Sequence, residues 1–378
     1  MKEEITIMDP LYNQVPIHKE HKKIIDSKEF QRLRYIGQTS FSNKVYPSAN
    51  HTRFEHSIGT YHLMNRLINN GLNKLSKEQS NSILTAALLH DIGHGPFSHV
   101  WEEVFPHFNH EEATIKILEQ NGFKEVAKLI SKKENMYSLL SSTIDVDKLD
   151  YMGRDSYFTG VSFGMLEVDF ILRHTYLKDG KIIIKQSALA SIEGLISQRV
   201  NLYKAVYLHK VSIEFGFVFK KIFQRVRDLI AKGIKIEMNP HIRNFFEEKN
   251  TLEDLFELTD SEILSQIKRW SNEPDAILKK LCEGFLYRKK MRVISLNNKS
   301  IDTKKILAEV KKQYDPRYFY AHIKIPLKII ESQLYVEEEN KIRKIEEVSD
   351  LIRFYSREKR FVEFLIFPRN IEYKKLLK

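Results

Sequence analysis

Apolar residues in the first 280 positions recur at the spacing of amphipathic helices. Phe30, Leu33 and Ile36 lie three residues apart and predict one buried face of a helix running from Ile24 to Gln38. The same period predicts further helices at Arg53 to Leu72, in an apolar segment that ends at Leu89, at Glu111 to Asn121 and at Ser187 to Ile230. One short strand is predicted at residues 182–184, beside the turn signal Asp179-Gly180. We therefore expect this part of the chain to be essentially all-helical.

The pattern changes near Lys289. Four short β-rich runs follow, at residues 292–296, 317–325, 333–336 and 360–367, with helical segments at 303–312 and 346–355 between them. This order predicts a small α+β module. The expected fold class is therefore mainly α: a helical domain over residues 1–287, followed by a smaller α+β module over residues 288–378.

Composition is that of a globular protein able to bury a large core, with 378 residues of which 42% are apolar. The single cysteine, Cys282, excludes an internal disulfide framework and indicates a reducing compartment. The N-terminus lacks the apolar region of a signal peptide, and no apolar run reaches the length of a membrane span. We expect a soluble cytoplasmic protein without membrane contacts.

The net charge of +11 is concentrated in the last quarter of the chain. Residues 288–378 hold 23 basic and 13 acidic side chains, so the other 287 residues carry a net charge of only +1. Dispersed surface lysines are the common cause of such a bias, and a site for nucleic acid is the alternative.

Candidate chemistry is concentrated around the stretch LLHDIGHGPFSH at residues 88–99. Eight of the fourteen histidines lie between His51 and His110. An apolar helix leads into His90 and Asp91, and two glycines and a proline then end it. An imidazole beside a carboxylate suits a divalent cation. The alternative is an ordinary helix C-terminus, in which these side chains cap carbonyl groups and turns.

Two other segments offer ligands that would complete such a metal site. His56 and Asp147, together with His90 and Asp91, would supply two nitrogens and two carboxylates, a set that suits Mn, Fe, Ni, Zn or Mg. If the segment after Asp147 is helical, then Lys148, Tyr151 and Asp155 share one face and could grip a nucleotide. The alternative is that Tyr151 is a core residue and Lys148 a salt-bridged surface residue.

Six motifs in fixed order give the chain a resemblance to a known family. They are FQRLRYIGQ (30–38), YPSANHTRFEHSIG (46–59), LLHDIGHGPFSH (88–99), NHEE (109–112), IDVDKLDYMGRD (144–155) and QRVNLYKAVYLHKV (198–211). The chain resembles HD-superfamily phosphohydrolases of the branch that contains the dNTP triphosphohydrolases. That resemblance implies a mostly helical core, often followed by a C-terminal mixed module.

The resemblance also implies roles for individual residues. It places one divalent metal ion per site on His56, His90, Asp91 and Asp147. It places catalysis on His94 and His110, with His99 serving the leaving oxygen. We expect His110 or Glu111 to orient His94. Its phosphate-binding cations fall on Arg53, Lys148 and Arg199, and its sugar and base contacts on Gln38, Tyr151, Asp155 and Tyr207. Glu102 departs from the sequence of the vertebrate dNTPase of this branch, which has a shorter aspartate at the matching position.

The activity implied by the resemblance is hydrolysis of a dNTP to a deoxynucleoside and inorganic triphosphate. A homo-oligomer is also expected, and an activator-nucleotide site of the vertebrate member matches Asp26, Gln31 and Arg34. Two alternatives stay open. One is an HD-type phosphohydrolase or nuclease that acts on another nucleotide or on single-stranded nucleic acid, and the other is a nucleotide-sensing or RNA-binding protein whose turnover is incidental.

Overall fold

The computed structural model describes residues 4–71, 75–131, 135–163, 166–179, 181–289, 291–297, 301–327, 329–357 and 360–373. The chain forms two compact units. The first comprises Met1–Glu102, His107–Lys204 and Ile329–Glu358, and the second comprises Glu103–Pro106, Ala205–Lys328 and Lys359–Lys378. The predicted division at 287/288 stays a prediction about domains, and the two compact units divide the chain at other positions.

The first unit is mostly helical. Its helices are α1 (Lys19–Ile25), α2 (Lys28–Gln31), α3 (Arg53–Gly71), α4 (Lys77–Leu89), α5 (His99–Val104, which ends in the second unit), α6 (His110–Gln120), α7 (Lys124–Ile130), α8 (Val146–Thr159), α9 (Val168–Arg173) and α10 (Leu189–Leu202), with α18 (Ile345–Val348) and α19 (Asp350–Arg357) from the C-terminal part. Its strands are β1 (Glu4–Asp9), β2 (Asn13–His18), β3 (Thr175–Lys178), β4 (Lys181–Lys185), β7 (Tyr335–Glu338) and β8 (Lys341–Lys344). Helix α3 is central, since α4, α8 and α9 all pack against it.

Two small sheets complete the first unit. Strands β1 and β2 form an antiparallel hairpin, and the other four strands form a sheet in the order β3-β4-β7-β8. Strand β4 pairs in parallel with β7, so that residues 183–185 lie beside residues 335–337. The C-terminal part of the chain thus returns to the first unit.

The structure corrects two expectations about this region. Residues before 280 are not all-helical, because the entry to the chain is the β1–β2 hairpin and β3 pairs with β4. The single helix predicted from Ile24 to Gln38 is also wrong. Ser27 has extended backbone and its side chain accepts a hydrogen bond from the Phe30 amide, so a new helix starts there, and a 3₁₀ turn follows from Arg32. The strand predicted at 182–184 is confirmed by β4.

The second unit contains α11 (Lys210–Ala231), α12 (Pro240–Phe246), α13 (Leu252–Phe256), α14 (Asp260–Trp270), α15 (Ala276–Leu286), α16 (Thr303–Gln313) and α17 (Pro316–Phe319), with strands β5 (Met291–Ser295), β6 (Ala321–Leu327) and β9 (Arg360–Pro368). Its strands form an antiparallel sheet in the order β5-β9-β6. Apolar side chains of α16, of this sheet and of the segment after β9 make one buried cluster, which contains Ile294, Ile306, Val310, Leu365, Phe367 and Ile371.

The mainly α fold class is confirmed, with helices predominating over small sheets. Of the four β-rich runs after residue 289, three supply the sheet of the second unit, and the run at 333–336 instead supplies β7 of the first unit. The run predicted at 317–325 is wrong at its start, because residues 317–319 belong to α17 and strand β6 begins at Ala321. Among the described residues, no helix combines the length and the apolarity needed to cross a membrane.

Candidate metal centre and phosphate-binding site

The His90-Asp91 pair lies at the buried C-terminal end of helix α4. Helix α4 starts with a capping box between Ser76 and Gln79, and all its residues from Ile83 to Leu89 are buried. His90 is the C-cap, so the chain leaves the helix with the histidine and the aspartate side by side. A buried, uniformly apolar last turn fixes the position of this pair.

Gly93 lets this turn lie directly against α6. A Cβ atom at Gly93 would lie 2.4 Å from the His110 carbonyl oxygen and 2.4 Å from the Thr114 amide nitrogen. The Gly93 amide donates to Thr114 Oγ1 at 3.0 Å, and that hydroxyl donates to the His90 carbonyl at 3.3 Å. This close contact at Gly93 places the N-terminus of α6, and with it His110, beside the candidate metal ligands.

Four predicted metal ligands converge in the first unit. His56 Nε2 lies 3.0 Å from Asp147 Oδ1 and 3.6 Å from Asp91 Oδ2. His90 Nε2 lies 3.8 Å from Asp147 Oδ1 and 3.5 Å from Asp91 Oδ1. Helix α3, the end of α4 and the first turn of α8 each contribute to this cluster, which holds groups able to bind a metal ion.

The tautomers of both histidines are set by their other ring nitrogen. His56 Nδ1 is 2.8 Å from Asp150 Oδ2, and His90 Nδ1 is 2.9 Å from the Ala87 carbonyl oxygen. Both partners accept, so each Nδ1 carries the proton. Each Nε2 is buried and has no assigned hydrogen-bond partner, and the Asp147 carboxylate lies 3.0 Å from His56 Nε2. Two orphaned imidazole nitrogens facing carboxylates are what a bound cation requires.

Electrostatics at the cluster also favour a positive charge. Burial alone would lower the pKa of His56, but the carboxylates of Asp147 and Asp150 raise it to about 10. Burial opposes ionisation of Asp147 as well, yet the two histidines lower the pKa of its carboxyl group. A metal cation would therefore replace a proton at His56.

A second cluster joins His94 and His99 of the LLHDIGHGPFSH motif with His110 of the NHEE motif. The rings of His94 and His110 are stacked with centroids 3.9 Å apart, and His99 meets both edge-on at 5.0 and 5.2 Å. Glu102 accepts a 2.7 Å hydrogen bond from His110 Nδ1 and lies 3.4 Å from His99 Nδ1. Burial would raise the pKa of Glu102, but these histidines lower it to about 2, so this carboxylate is ionised.

His94 connects the two clusters. Its Nε2 lies 3.4 Å from Asp91 Oδ1, and its Nδ1 is buried without a hydrogen-bond partner. Burial and the neighbouring Arg53 guanidinium lower the pKa of His94 well below its ordinary value, so the ring is neutral at pH 7. The Arg32 guanidinium donates to the His94 carbonyl oxygen at 2.8 Å and holds this part of the turn.

Arg53 is fixed by its surroundings. Its guanidinium pairs with Asp91 and donates to Ser98 Oγ at 2.9 Å. Ser98 and the preceding Phe97 have φ angles of 57° and 56°, a backbone conformation that side chains rarely adopt. Such strain is common where a backbone is shaped for a site.

The other two predicted phosphate cations share one carboxylate. Lys148 Nζ lies 3.0 Å from Asp145 Oδ2 and 3.2 Å from Glu331 Oε2. The Arg199 guanidinium donates to Glu331 Oε1 and, at 2.7 Å, to the Ile329 carbonyl oxygen. Burial raises the pKa of Tyr151, and the positive charges of Arg199 and Lys148 oppose that shift.

Two of the predicted sugar-contacting residues meet at His51. The backbone amide of Gln38 donates to the His51 carbonyl oxygen at 3.1 Å, and the His51 Nε2 atom lies 2.7 Å from Asp155 Oδ1. The side-chain oxygen of Gln38 is buried and has no hydrogen-bond partner. A short antiparallel bridge between Gly37 and Thr52 fixes this arrangement.

The remaining predicted residues are Tyr207, Glu111, Gln31, Arg34 and Asp26. Tyr207 ends a π-helical turn, Tyr203–Tyr207, in the second unit. Glu111 is exposed in the first turn of α6. Gln31 and Arg34 are joined by a 2.9 Å hydrogen bond, and Asp26 is the C-cap of α1.

Sequence reasoning missed several partners of these residues. Asp150 lies three positions after Asp147, so helical spacing alone could have placed both carboxylates on one face toward His56. His51 had a signal too, being part of the YPSANHTRFEHSIG motif. Glu331 had none, because it comes from a segment more than 130 residues after Arg199.

Comparison with known proteins agrees with these features. The HD domain model matches residues 53–155. An uncharacterised protein of Bacillus subtilis, YwfO, is 36% identical over 318 residues, which cover 79% of this chain and 73% of YwfO. A deoxynucleoside triphosphate triphosphohydrolase SAMHD1 homolog of Dictyostelium discoideum is 30% identical over 263 residues, 61% of this chain and 51% of that protein. The crystal structure of a phosphohydrolase from Bacteroides thetaiotaomicron matches with a TM-score of 0.88 at 28% identity, covering 97% of this chain and 100% of that one.

Proposed function

The chain belongs to the HD superfamily of phosphohydrolases, and we propose that its substrate is a dNTP, which it cleaves to a deoxynucleoside and inorganic triphosphate. The observation that carries the proposal is the pair of buried histidine Nε2 atoms that face Asp147 without hydrogen bonds. The choice of dNTP is supported by the likeness to relatives named deoxynucleoside triphosphate triphosphohydrolases.

The residues present fit a divalent metal ion. His56, His90, Asp91 and Asp147 would hold it, and this two-nitrogen, two-carboxylate set suits Mn, Fe, Ni, Zn or Mg. When bound, such an ion supplies Lewis-acid activation of a phosphoryl oxygen and lowers the pKa of a water. Asp150 and the Ala87 carbonyl keep the two imidazoles in the required tautomer.

The protein's own groups would handle charge and protons. Arg53, Lys148 and Arg199 offset the negative charge of the triphosphate, and do so more strongly as charge builds in the transition state. His94 is neutral at pH 7, so it accepts a hydrogen bond from the attacking water. Its low pKa makes it better suited to orienting that water than to storing its proton.

Ring stacking between His94 and His110, together with the His110–Glu102 hydrogen bond, would keep His94 in position. His99, with a side chain 69% exposed, is placed to protonate the departing 5′-oxygen. Glu102 stands where the vertebrate member has an aspartate, and its longer side chain reaches both His110 and His99. Glu111, in the first turn of α6, is then a further candidate for orienting His94.

Recognition of the sugar would fall to the group around His51. Gln38 and Asp155 offer acceptors for the 3′-hydroxyl, and Tyr151 packs where a 2′-hydroxyl would have to fit. Tyr207 is proposed to contact the sugar or base. A hydroxyl excluded sterically by an aromatic ring should give a preference for dNTPs over NTPs.

Assembly and location are proposals of the same kind. We propose a cytoplasmic homo-oligomer, since the single cysteine suits a reducing compartment. An activator nucleotide would bind at Asp26, Gln31 and Arg34, of which the last stacks its guanidinium on Phe54 at 3.5 Å. The basic residues of 288–378 are the candidate contact for nucleic acid.

Anion-exchange analysis of the products separates the candidate functions. Purified protein with Mn²⁺ is incubated with dATP, ATP or a labelled single-stranded oligonucleotide. Release of triphosphate from dATP, with a much lower rate on ATP, is the expected result. Equal rates on both nucleotides would contradict the dNTPase proposal, and shortening of the oligonucleotide would indicate a nuclease. Binding of the oligonucleotide without turnover of any substrate would point to a binding protein.

A further inference from the structure

A segment from the C-terminal part of the chain contacts Lys148 and Arg199, two of the predicted phosphate-binding cations of the first unit. Its backbone at residues 329–334, here called the strap, is anchored at both ends by Ile329 and Leu334, which are 3% and 1% exposed. Between them, Ser332 exchanges hydrogen bonds with Thr143. The Thr143 amide donates to Ser332 Oγ at 2.7 Å, and the Thr143 hydroxyl donates to the Ser332 carbonyl at 2.8 Å. The strap backbone is therefore held in a defined position.

The strap delivers one carboxylate to two buried cations. Glu331 places one oxygen on the Arg199 guanidinium and the other 3.2 Å from Lys148 Nζ. The side chains of Lys148 and Arg199 are only 8% and 3% exposed, whereas that of Glu331 is 35% exposed. Two oxygens on one carbon, bridging a lysine and an arginine, mimic the contacts that a phosphate group would make with the same pair.

We propose that Glu331 is a resident counter-ion of the phosphate site, which a substrate phosphate must displace in order to reach Lys148 and Arg199. The inference rests on the proposed phosphate-binding role of those two cations. An anion and a carboxylate cannot share them without a close like-charge contact, so one has to leave. The carboxylate can leave without unfolding anything, because its side chain is already one-third in solvent while its backbone stays anchored to Thr143.

The contacts of Glu331 stabilise the protein when no phosphate is bound. Two cations this deeply buried repel each other and lack solvent, and a carboxylate between them compensates both. Asp145 compensates Lys148 in addition, whereas Arg199 has only Glu331 as a carboxylate partner among the contacts described. Competition with Glu331 therefore weakens the binding of every ligand that places a phosphate on these cations, and does so by the same factor for each. The binding of a ligand without phosphate is not affected.

Neutralising Glu331 tests this inference. In Glu331→Gln the shape and the strap are kept, but the competing charge is gone. Binding of inorganic triphosphate by calorimetry should then tighten on the order of fivefold, the effect of an ion pair partly screened by solvent. Binding of a deoxynucleoside without phosphates should not change. The matched control is Glu339→Gln, an exposed acid in the turn after β7, which should leave both affinities as in the wild type.

The outcomes separate this inference from the proposed function. Tighter triphosphate binding in Glu331→Gln supports it even if dATP is not hydrolysed, because the measurement needs no turnover. Unchanged or weaker binding overturns it and would make Glu331 a structural partner of Arg199. Equal tightening in Glu339→Gln also overturns it, since a general loss of negative charge would then suffice. Absence of triphosphate binding to wild type and variant alike overturns it too, because the cations would then not be a phosphate site.

Discussion

Replacing Asp150 with Asn should weaken metal binding without touching a ligand. The Asp150 carboxylate is fully buried and accepts four hydrogen bonds: from His56 Nδ1 at 2.8 Å, from Arg154 Nε and Nη2 at 2.9 Å each, and from the Tyr12 hydroxyl at 2.9 Å. An amide of the same shape has one acceptor oxygen and two N–H donors. Whichever way it turns, its NH₂ group meets a donor.

Each of the two orientations of this side-chain amide loses hydrogen bonds that the carboxylate accepts. If the amide oxygen takes the position of Oδ1, its NH₂ group faces His56 Nδ1 and Arg154 Nε, and the imidazole must move its proton to Nε2, the nitrogen that would bind the metal. If the oxygen takes the position of Oδ2, it still accepts from His56, but the NH₂ group faces the Tyr12 hydroxyl and Arg154 Nη2. In either orientation Asp9 is the carboxylate partner left to the guanidinium among the contacts described. Breaking a buried ion pair costs about 3–5 kcal/mol, which lowers the melting temperature by roughly 10 °C. Loss of an outer-shell partner weakens metal affinity about 10- to 100-fold.

Titration with Mn²⁺, followed by calorimetry, and thermal unfolding measure the two effects separately. The matched control is Tyr12→Phe, which removes one hydrogen bond to the same carboxylate at Oδ1 and leaves the bond from His56 intact. Tyr12→Phe should lower the free energy of unfolding by about 1 kcal/mol and leave metal affinity unchanged. An Asp150→Asn variant that unfolds earlier but binds Mn²⁺ like the wild type would refute the reasoning, because Asp150 would then not position His56.

Three further predictions follow from single contacts. His90→Ala should lose the bound metal, whereas His94→Ala should keep it and slow turnover by ~10²–10⁴-fold, as metal analysis beside a triphosphate-release assay would reveal. Gly93→Ala should destabilise the protein by about 3 kcal/mol in urea unfolding, because a Cβ atom would strike backbone atoms 2.4 Å away. At the open helical position Gly194, the same change should stabilise by up to ~1 kcal/mol. The lowered pKa of Glu102, about 2 against an ordinary 4.5, implies a contribution to stability that is present above pH 4.5 and lost as pH falls through 2. The difference in unfolding free energy between wild type and Glu102→Gln, up to ~3 kcal/mol at pH 5, should therefore shrink toward pH 3.

Local patterns sufficed for the long helices and for the residues that a single turn brings together. Helix α3 begins at Arg53 as predicted, because its apolar period is long enough to be unambiguous. The β1–β2 hairpin escaped notice, although Val15 and Ile17 alternate with more exposed neighbours, because the run is short. The pairing of residues 183–185 with 335–337 carries no local signal, since about 150 residues separate the strands.

The candidate site divides in the same way. His90, Asp91 and His94 lie within five positions, so their proximity follows from the turn itself. The contact of Glu331 with Arg199 depends on the path of the whole chain, and neither residue type nor spacing could have indicated it. What sequence reasoning lacks is the set of distant partners that decide tautomer, charge and access.

The N-terminal hairpin shows why those distant partners matter. Asp9 accepts a 2.8 Å hydrogen bond from Arg154, whose guanidinium also binds Asp150, which in turn holds His56. Helix α3 leaves room for this chain only because it has Gly59, where a Cβ atom would lie 1.9 Å from Asp150 Oδ1. Buried ion pairs contribute little net stability against well-packed apolar residues, so stability alone does not account for three fully or nearly buried charges here. Their physical effect is to fix one tautomer of His56, which makes the hairpin a part of the support of the candidate metal centre.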